Sequence, residues 1–256
     1  MNFHIYGSLF DISHITYIVI SLGLTVLFLW LPSKVFTTQT HKDVYLKFWG
    51  WATIFLHISP LWIEFLKGNQ AVAADNMLFP IYFCNLSMYL LVIVAIWGNK
   101  KSKAFNYLAT MTGYAGALGA LISLFYPEYY IHGGSIFDWG VFKSMLSHST
   151  MLVGSLYLMV GGYFKIQKQN TVVYFVGLLV FGLIGIGVNQ TFALAGLNAP
   201  NAMFLQRPPI EDVPFLNVYV IALMMVTLIF GFTTLVEHLR TKRLLQTAPL
   251  VATDNN

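Results

Sequence analysis

The sequence predicts an all-α membrane protein, a polytopic bundle of about seven transmembrane helices with its N-terminus outside and its C-terminus cytoplasmic. Three observations carry this expectation. A chain of 256 residues with 57% hydrophobic and 9% charged residues holds more apolar side chain than one soluble core can bury. Its apolar residues fall in stretches of roughly 20, the length that crosses about 30 Å of hydrocarbon as helix. The tryptophans Trp30, Trp49, Trp51, Trp62, Trp97 and Trp139 lie at or within a turn of the ends of those stretches, the headgroup level that an amphipathic ring prefers.

The first stretch, about 12–32, lacks a positively charged region before it and is long for a signal core, so it reads as an uncleaved helix. The second, about 45–66, contains Pro60, which removes the usual hydrogen-bond partner of the Leu56 carbonyl. The third runs over about 78–97. The fourth, about 105–126, carries Gly113, Gly116, Ala117, Gly119 and Ala120. The fifth follows at about 141–162. The sixth, about 171–195, carries Gly177, Gly182, Gly185 and Gly187, and the seventh covers about 214–236. Small residues at these spacings read as packing seams. Connections are short except for two outer loops, about 127–140 with Pro127 and Gly133-Gly134, and about 196–213; long outer loops can roof a cavity. Residues 1–243 then form a single seven-helix domain, and 244–256 a short disordered cytoplasmic tail.

Orientation follows from the basic residues, which short cytoplasmic loops retain. Lys34, Lys42, Lys47, Lys100, Lys101, Lys103, Lys165, Lys168, Arg240, Lys242 and Arg243 fall on one side, and Lys67, Lys143 and Arg207 on the other. The second side also collects Asp11, Asp75, Glu128, Asp138, Glu211 and Asp212, so the formal charge of +4 divides into a basic inner face and an acidic outer one. That balance implies no nucleic-acid partner. One cysteine excludes an intrachain disulfide, no Cys/His cluster suggests a metal, and no cofactor motif occurs.

The chemistry lies in polar residues at membrane depth. At about 1.5 Å per helical residue, counting from Leu78 and Phe142 puts Cys84 and His148 at one level, and Glu64, Asn189 and Gln190 fall in the last two turns of the outward-running second and sixth stretches. Each has an ordinary structural reading. A lone Cys in an apolar helix is more often a small hydrophobe than a nucleophile, Asn189-Gln190 can act as interhelical glue, and Glu64 can reach water. His57, seven residues before Glu64 on the same face, reads as a structural hydrogen bond to another helix. His148, between Ser147 and Ser149, can bond a helix backbone or a neighbour, but an ionisable side chain within a membrane is by default a functional candidate.

Together the set points to nucleophilic acyl transfer, in which His removes the thiol proton and the thiolate attacks a carbonyl to give a thioester that a second nucleophile resolves. Asn85, or Asn189 and Gln190, would orient the His or bind the oxyanion. At the level of ester carbonyls, the substrate expected is a phospholipid or lysophospholipid.

The segment Leu78-Phe-Pro-Ile-Tyr-Phe-Cys-Asn-Leu86 resembles the LPLHLC segment of the YwaF-type bacterial integral membrane proteins. His148 in Leu-Ser-His-Ser-Thr and Asn201-Ala-Met-Phe-Leu-Gln-Arg-Pro-Pro209 resemble that family's other two landmarks, and the seven-span layout is similar over nearly the whole chain. The resemblance implies a bacterial plasma-membrane location and kinship with eukaryotic transmembrane phospholipid acyltransferases that work through a Cys acyl-enzyme and a His. Cys84 would then be the nucleophile and His148 the base. This chain has Tyr82 where the bacterial motif often has a His two residues before the Cys.

The expected function is therefore a membrane phospholipid acyltransferase or acyl hydrolase with a pocket in the extracytoplasmic half, in which Arg207 is either available for a lipid phosphate or paired with Glu211 or Asp212 as a loop clamp. The alternative is a binding or transport protein for a small solute, with proton coupling through His57, Glu64 and His148. No inverted repeat is visible, and an odd span count does not divide into equal halves. A retinal photoreceptor is excluded, because 214–236 contains no Lys for a Schiff base.

Overall fold

The computed structural model describes residues 8–66, 75–131, 135–210 and 213–247, with backbone alone at 64, 65, 75, 76, 129 and 244–247. The Glu64 side chain, the Gly133-Gly134 pair, Glu211, Asp212 and residues 248–256 lie outside the described set. The described residues are helical and contain no strand. The helices are α1 (Ile12–Val35), α2 (Gln39–Ile58), α3 (Pro60–Leu66), α4 (Asp75–Leu78), α5 (Phe83–Ile96), α6 (Lys103–Phe125), α7 (Glu128–Ile131), α8 (Trp139–Val160), α9 (Asn170–Leu194) and α10 (Val218–Thr247), with a 3-10 turn at Ala202–Phe204.

Among the described residues four helices are long and apolar enough to cross a membrane: α1, α6, α9 and the Val218–Arg243 part of α10. In α6 67% of the apolar window is buried within the protein, against 17–28% in the other three, so α6 is central and the others present wide apolar faces outward. α2 and α8 are 20 and 22 residues long but more polar. Their polar side chains face inward: Thr53 of α2 donates to Thr150 of α8 at 3.0 Å, and Ser149 of α8 bonds Tyr17 and Ser21 of α1 at 2.9 and 3.0 Å.

Helix starts follow local capping chemistry. Asp11, Thr38 and Ser102 hold extended backbone and accept from the N–H groups of His14, His41 and Phe105, satisfying first-turn donors of α1, α2 and α6. The second sequence stretch divides where Pro60 sits. Ser59 supplies what the proline removes, donating both its N–H (3.3 Å) and its hydroxyl (2.7 Å) to the Leu56 carbonyl, while its oxygen accepts from the Trp139 indole at 3.1 Å. The third stretch is not one helix. Phe79 to Tyr82 are non-helical between α4 and α5, because Pro80 cannot continue a helix and biases Phe79 away from helical backbone. α10 extends to Thr247, past the boundary expected at 243, since Leu244, Leu245 and Gln246 are good helix formers.

Hydrogen bonds sort the connections onto two ends. At one, the Tyr130 hydroxyl donates to Asp11 Oδ2 at 2.6 Å, His14 Nε2 bonds the Leu124 carbonyl at 2.8 Å, and the Met203 N–H donates to the Ile81 carbonyl at 2.8 Å. Burial and the adjacent Asp11 carboxylate push the Tyr130 phenol up to about 12. At the other, the Tyr163 hydroxyl donates to Asp43 Oδ1 at 2.8 Å, Lys100 lies 3.8 Å from Asp43 Oδ2, and Arg240 donates to the Ile166 carbonyl at 3.3 Å. Helices α1, α2, α5, α6, α8, α9 and α10 therefore run alternately between the two ends.

The fourth stretch's glycines form the tightest seam, where α6 meets α8. A Cβ built on Gly116 would come within 2.0 Å of Ser155 Oγ. In α9 the seam reading holds for Gly177, where a Cβ would meet Met111 Sδ at 2.1 Å, but Gly182 and Gly187 have open space beside them.

Candidate functional site

A cavity of about 310 Å³ opens at the end that carries Asp11 and Tyr130, with α5, α6 and α8 on one side and α9 and α10 on the other. The first side supplies Cys84, Asn85, Ser123, Lys143, Ser147 and His148, together with His57 from the end of α2. The second supplies Leu178, Phe181, Ile221 and Met225, and is apolar. Pro127 and Glu128 at the start of α7, with Met203, Phe204 and Pro209 from the 196–213 loop, roof it.

Cys84 is the second residue of α5. Its depth therefore differs from the helical count begun at Leu78, because the chain between α4 and α5 is extended rather than helical. This start gives the thiol a particular setting: the first-turn N–H groups of a helix have no carbonyl within it to bond, and the helix's positive end favours an anion. The thiol donates to Asn85 Oδ1 at 3.4 Å. Tyr82, the residue before α5, caps it without a side-chain bond and stacks its ring on Phe204 with centroids 5.4 Å apart, linking the thiol's turn to the roof.

His148 sits two turns into α8, a neighbour of α5. Its Nδ1 bonds the Ser144 carbonyl at 2.6 Å. A carbonyl only accepts, so Nδ1 carries the proton and Nε2 presents a lone pair. Nε2 is buried and has no partner among the described residues. No hydrogen bond joins it directly to the Cys84 thiol. His57 repeats the pattern: its Nε2 is also buried without a partner among the described residues, and its ring meets Tyr89 edge-on, with centroids 6.0 Å apart. The ring lines the same cavity.

The other expected site residues divide. Asn189 is buried but stands behind the roof, not in the wall. Its Oδ1 accepts from the Ala202 N–H at 2.8 Å and its Nδ2 donates to the Ala202 carbonyl at 3.4 Å. Asn201, Met203 and Phe204 hold left-handed backbone, with φ of 55–56°, a conformation that persists in non-glycine residues only where surrounding contacts impose it. Asn189 and the Met203–Ile81 bond impose it here. Gln190 is exposed, one helical position round from the bundle face, and is not part of the cavity wall. Arg207 is exposed and outside the cavity wall; its own N–H and carbonyl are both bonded by the Asn201 side chain, at 3.0 Å each. Glu64 contributes backbone to α3 and its side chain is outside the described residues.

Sequence reasoning missed Lys143 and Glu128, which it used only as markers of the outer side. Both line the cavity. The signal for Lys143 was present: it lies in the first turns of a membrane-depth helix with no acidic residue three or four positions away to pair with it. Glu128, exposed at the start of α7, carried no comparable pattern.

The model of the TMEM164 family matches residues 9–236 of the chain. Comparisons with curated proteins and with solved structures return no match.

Proposed function

The chain belongs to the TMEM164 family of membrane proteins, and within it we propose a phospholipid acyltransferase or acyl hydrolase that works through a Cys84 thioester. One observation carries the reading: the sole thiol of the chain and an imidazole Nε2 with an unshared lone pair line one polar wall, facing an apolar wall that suits an acyl chain. The resemblance to YwaF-type proteins and to the eukaryotic acyltransferases supports it independently.

In the proposed reaction His148 Nε2 takes the Cys84 proton and the sulfur attacks the ester carbonyl of a phospholipid. The S–C bond forms, the ester C–O bond breaks, and the leaving alkoxide recovers the proton from His148 as lysophospholipid. An acceptor hydroxyl, from a second lysophospholipid or from water, then attacks the thioester and returns the thiol. The first-turn N–H groups of α5 and the Asn85 side chain are the donors nearest to the developing oxyanion. Without a direct Cys–His bond at rest, the carbonyl must enter between them, and the contact tightens only with substrate bound.

The membrane placement belongs to the same proposal: seven spans, α2 and α8 crossing on the strength of their inward polar faces, and the short α5 completed by α4 and the segment between them. The N-terminal end, with Asp11 and the cavity, is extracytoplasmic, because the Asp43 and Arg240 end collects the basic residues. A bacterial plasma membrane is the compartment implied by the YwaF resemblance.

The experiment incubates detergent-solubilised protein with a labelled phospholipid and a lysophospholipid, following both transfer and protein-bound label. Cys84→Ala should abolish both while the unfolding temperature stays within a few degrees, since Ala is a good helix former. Cys84→Ser should retain little activity, because a hydroxyl is far harder to ionise. Transfer by Cys84→Ala at the native rate would eliminate the mechanism.

A further inference from the structure

The cavity's lysine makes no ion pair among the described residues, although the roof carries Glu128. Lys143 is 7% exposed, and its ammonium makes one long hydrogen bond, 3.5 Å to the carbonyl of His57. No carboxylate among the described residues pairs with it. Three features make that placement unfavourable for the empty protein. An ammonium taken out of water loses hydration that a single 3.5 Å bond does not replace. The side chain tilts back toward the N-terminus of α8, the positive end of the helix dipole. The nearest carboxylate on this helix, that of the N-cap residue Asp138, accepts from the Ser135 N–H at 2.8 Å and makes no ion pair with the ammonium. A lysine at this depth usually snorkels to the headgroup level; this one stays buried.

Its surroundings define what would complete it. Lys143 shares the polar wall with Ser123, whose hydroxyl can donate to an anion, and with Ser147, whose hydroxyl is held by the Ser144 carbonyl at 2.9 Å. Phe181 and Met225 stand on the apolar wall opposite. A ligand that satisfies both walls has one anionic head and a long apolar chain.

We propose that Lys143 is the anion-binding residue of the cavity, holding the phosphate or carboxylate of a long-chain amphiphile whose chain lies along the α9–α10 wall. The proposal rests on the reading of this cavity as the lipid site. It replaces Arg207 as the headgroup cation, since Arg207 is exposed outside the cavity wall. With the head anchored at Lys143, the chain and its ester are directed across Cys84 and His148 instead of along the open roof. Lys143 is then a binding and positioning residue and takes no part in the proton transfers.

The test is equilibrium binding in detergent micelles, with the Cys84→Ala protein so that no turnover occurs. A fluorescent long-chain lysophosphatidylcholine is displaced by three ligands of matched chain: lysophosphatidylcholine, fatty acid and neutral monoacylglycerol. In the Lys143-containing protein at least one of the two ligands that bear a phosphate or a carboxylate should displace about tenfold or more better than monoacylglycerol, the scale of a charge-assisted hydrogen bond. Lys143→Gln should remove that advantage, Lys143→Arg should keep most of it, and the monoacylglycerol affinity, obtained after correcting for the probe's own affinity in each variant, reports that the cavity is intact and should be unchanged in both. Loss confined to lysophosphatidylcholine identifies phosphate as the anion, and loss confined to the fatty acid identifies carboxylate. Equal displacement by all three ligands in Lys143→Gln and its parent would overturn the proposal. A Lys143-dependent advantage in a protein whose Cys84 never acquires label would keep this site and sink the acyl-transfer chemistry; normal labelling with no Lys143 dependence would sink this site alone.

Discussion

Replacing Asn189 by Leu removes both hydrogen bonds of the roof clasp while conserving side-chain volume, and it should unseat the 201–205 turn without unfolding the bundle. Asn189 is 6% exposed and Ala202 is fully buried. The substitution therefore leaves a buried Ala202 N–H without its 2.8 Å acceptor and a carbonyl without its 3.4 Å donor. An unsatisfied buried backbone donor costs about 1–3 kcal/mol, and the longer second bond adds about 0.5–1 kcal/mol. The left-handed backbone at Met203 and Phe204 stores strain of about 1 kcal/mol or more at each residue, and that strain is relieved when the turn lifts. What remains to hold the turn is the Met203–Ile81 bond and the packing of Met203 against Gly185. The net shift is about 1.5–4 kcal/mol toward the lifted roof, or roughly ten- to several-hundred-fold in the ratio of seated to unseated turn. Hydrogen exchange of the peptide spanning 198–206 should accelerate by that order, while exchange in α6 and α8 stays native. Native protection of Ala202 and Met203 in the variant would refute the clasp. Global unfolding would show instead that Asn189 supports the bundle.

The seam between α6 and α8 should behave as a coupled pair. Gly116→Ala alone drives its Cβ into Ser155, 2.0 Å from Oγ and 3.0 Å from Cβ, and should cost about 1–3 kcal/mol in thermal or denaturant unfolding. Ser155→Ala alone should be neutral or stabilising, because Ser155 Oγ is buried without a partner among the described residues. The double variant should recover about 1 kcal/mol relative to additivity. At the end that carries Asp11, burial raises its carboxyl, but the bonds from Ser8, Tyr130 and His14 outweigh it and hold it below the ordinary carboxylate value. A depressed carboxylate contributes stability that is full above the unfolded value and is lost as pH falls through the folded one. Acidification below about pH 4 should therefore loosen α1 from α7. Asp11→Ala, which also removes the cap, should cost about 0.5–2 kcal/mol at neutral pH and flatten that acid limb, as read by unfolding against pH. For topology, a reporter fused after Arg243 should be cytoplasmic and a tag inserted at Gly133-Gly134 accessible from outside, and the reverse pattern would invert the bundle.

Membrane character and the alternating layout were legible because hydropathy, basic-residue bias and tryptophan position depend on composition along the chain and need no knowledge of contacts. So was the candidacy of Cys84 and His148, as polar groups that the solvent of the chain makes costly to bury. What the sequence alone could not fix was direction around each helix and depth where the helix is interrupted. Asn189 and Gln190 are neighbours in sequence, yet a rotation of about 100° per residue turns one into the bundle and the other outward. Pro80 makes the approach to Cys84 extended, so counting at helical rise misplaced it. Arg207 and Lys143 were indistinguishable as outer-side cations until packing put one on the surface and the other in the cavity wall. The roof's left-handed turn and the tautomer of His148 are likewise tertiary facts, decided by Asn189 reaching Ala202 and by the Ser144 carbonyl lying within reach of Nδ1. Periodicity along the chain set which residues enter the membrane, and long-range packing between helices decided which of them face one another.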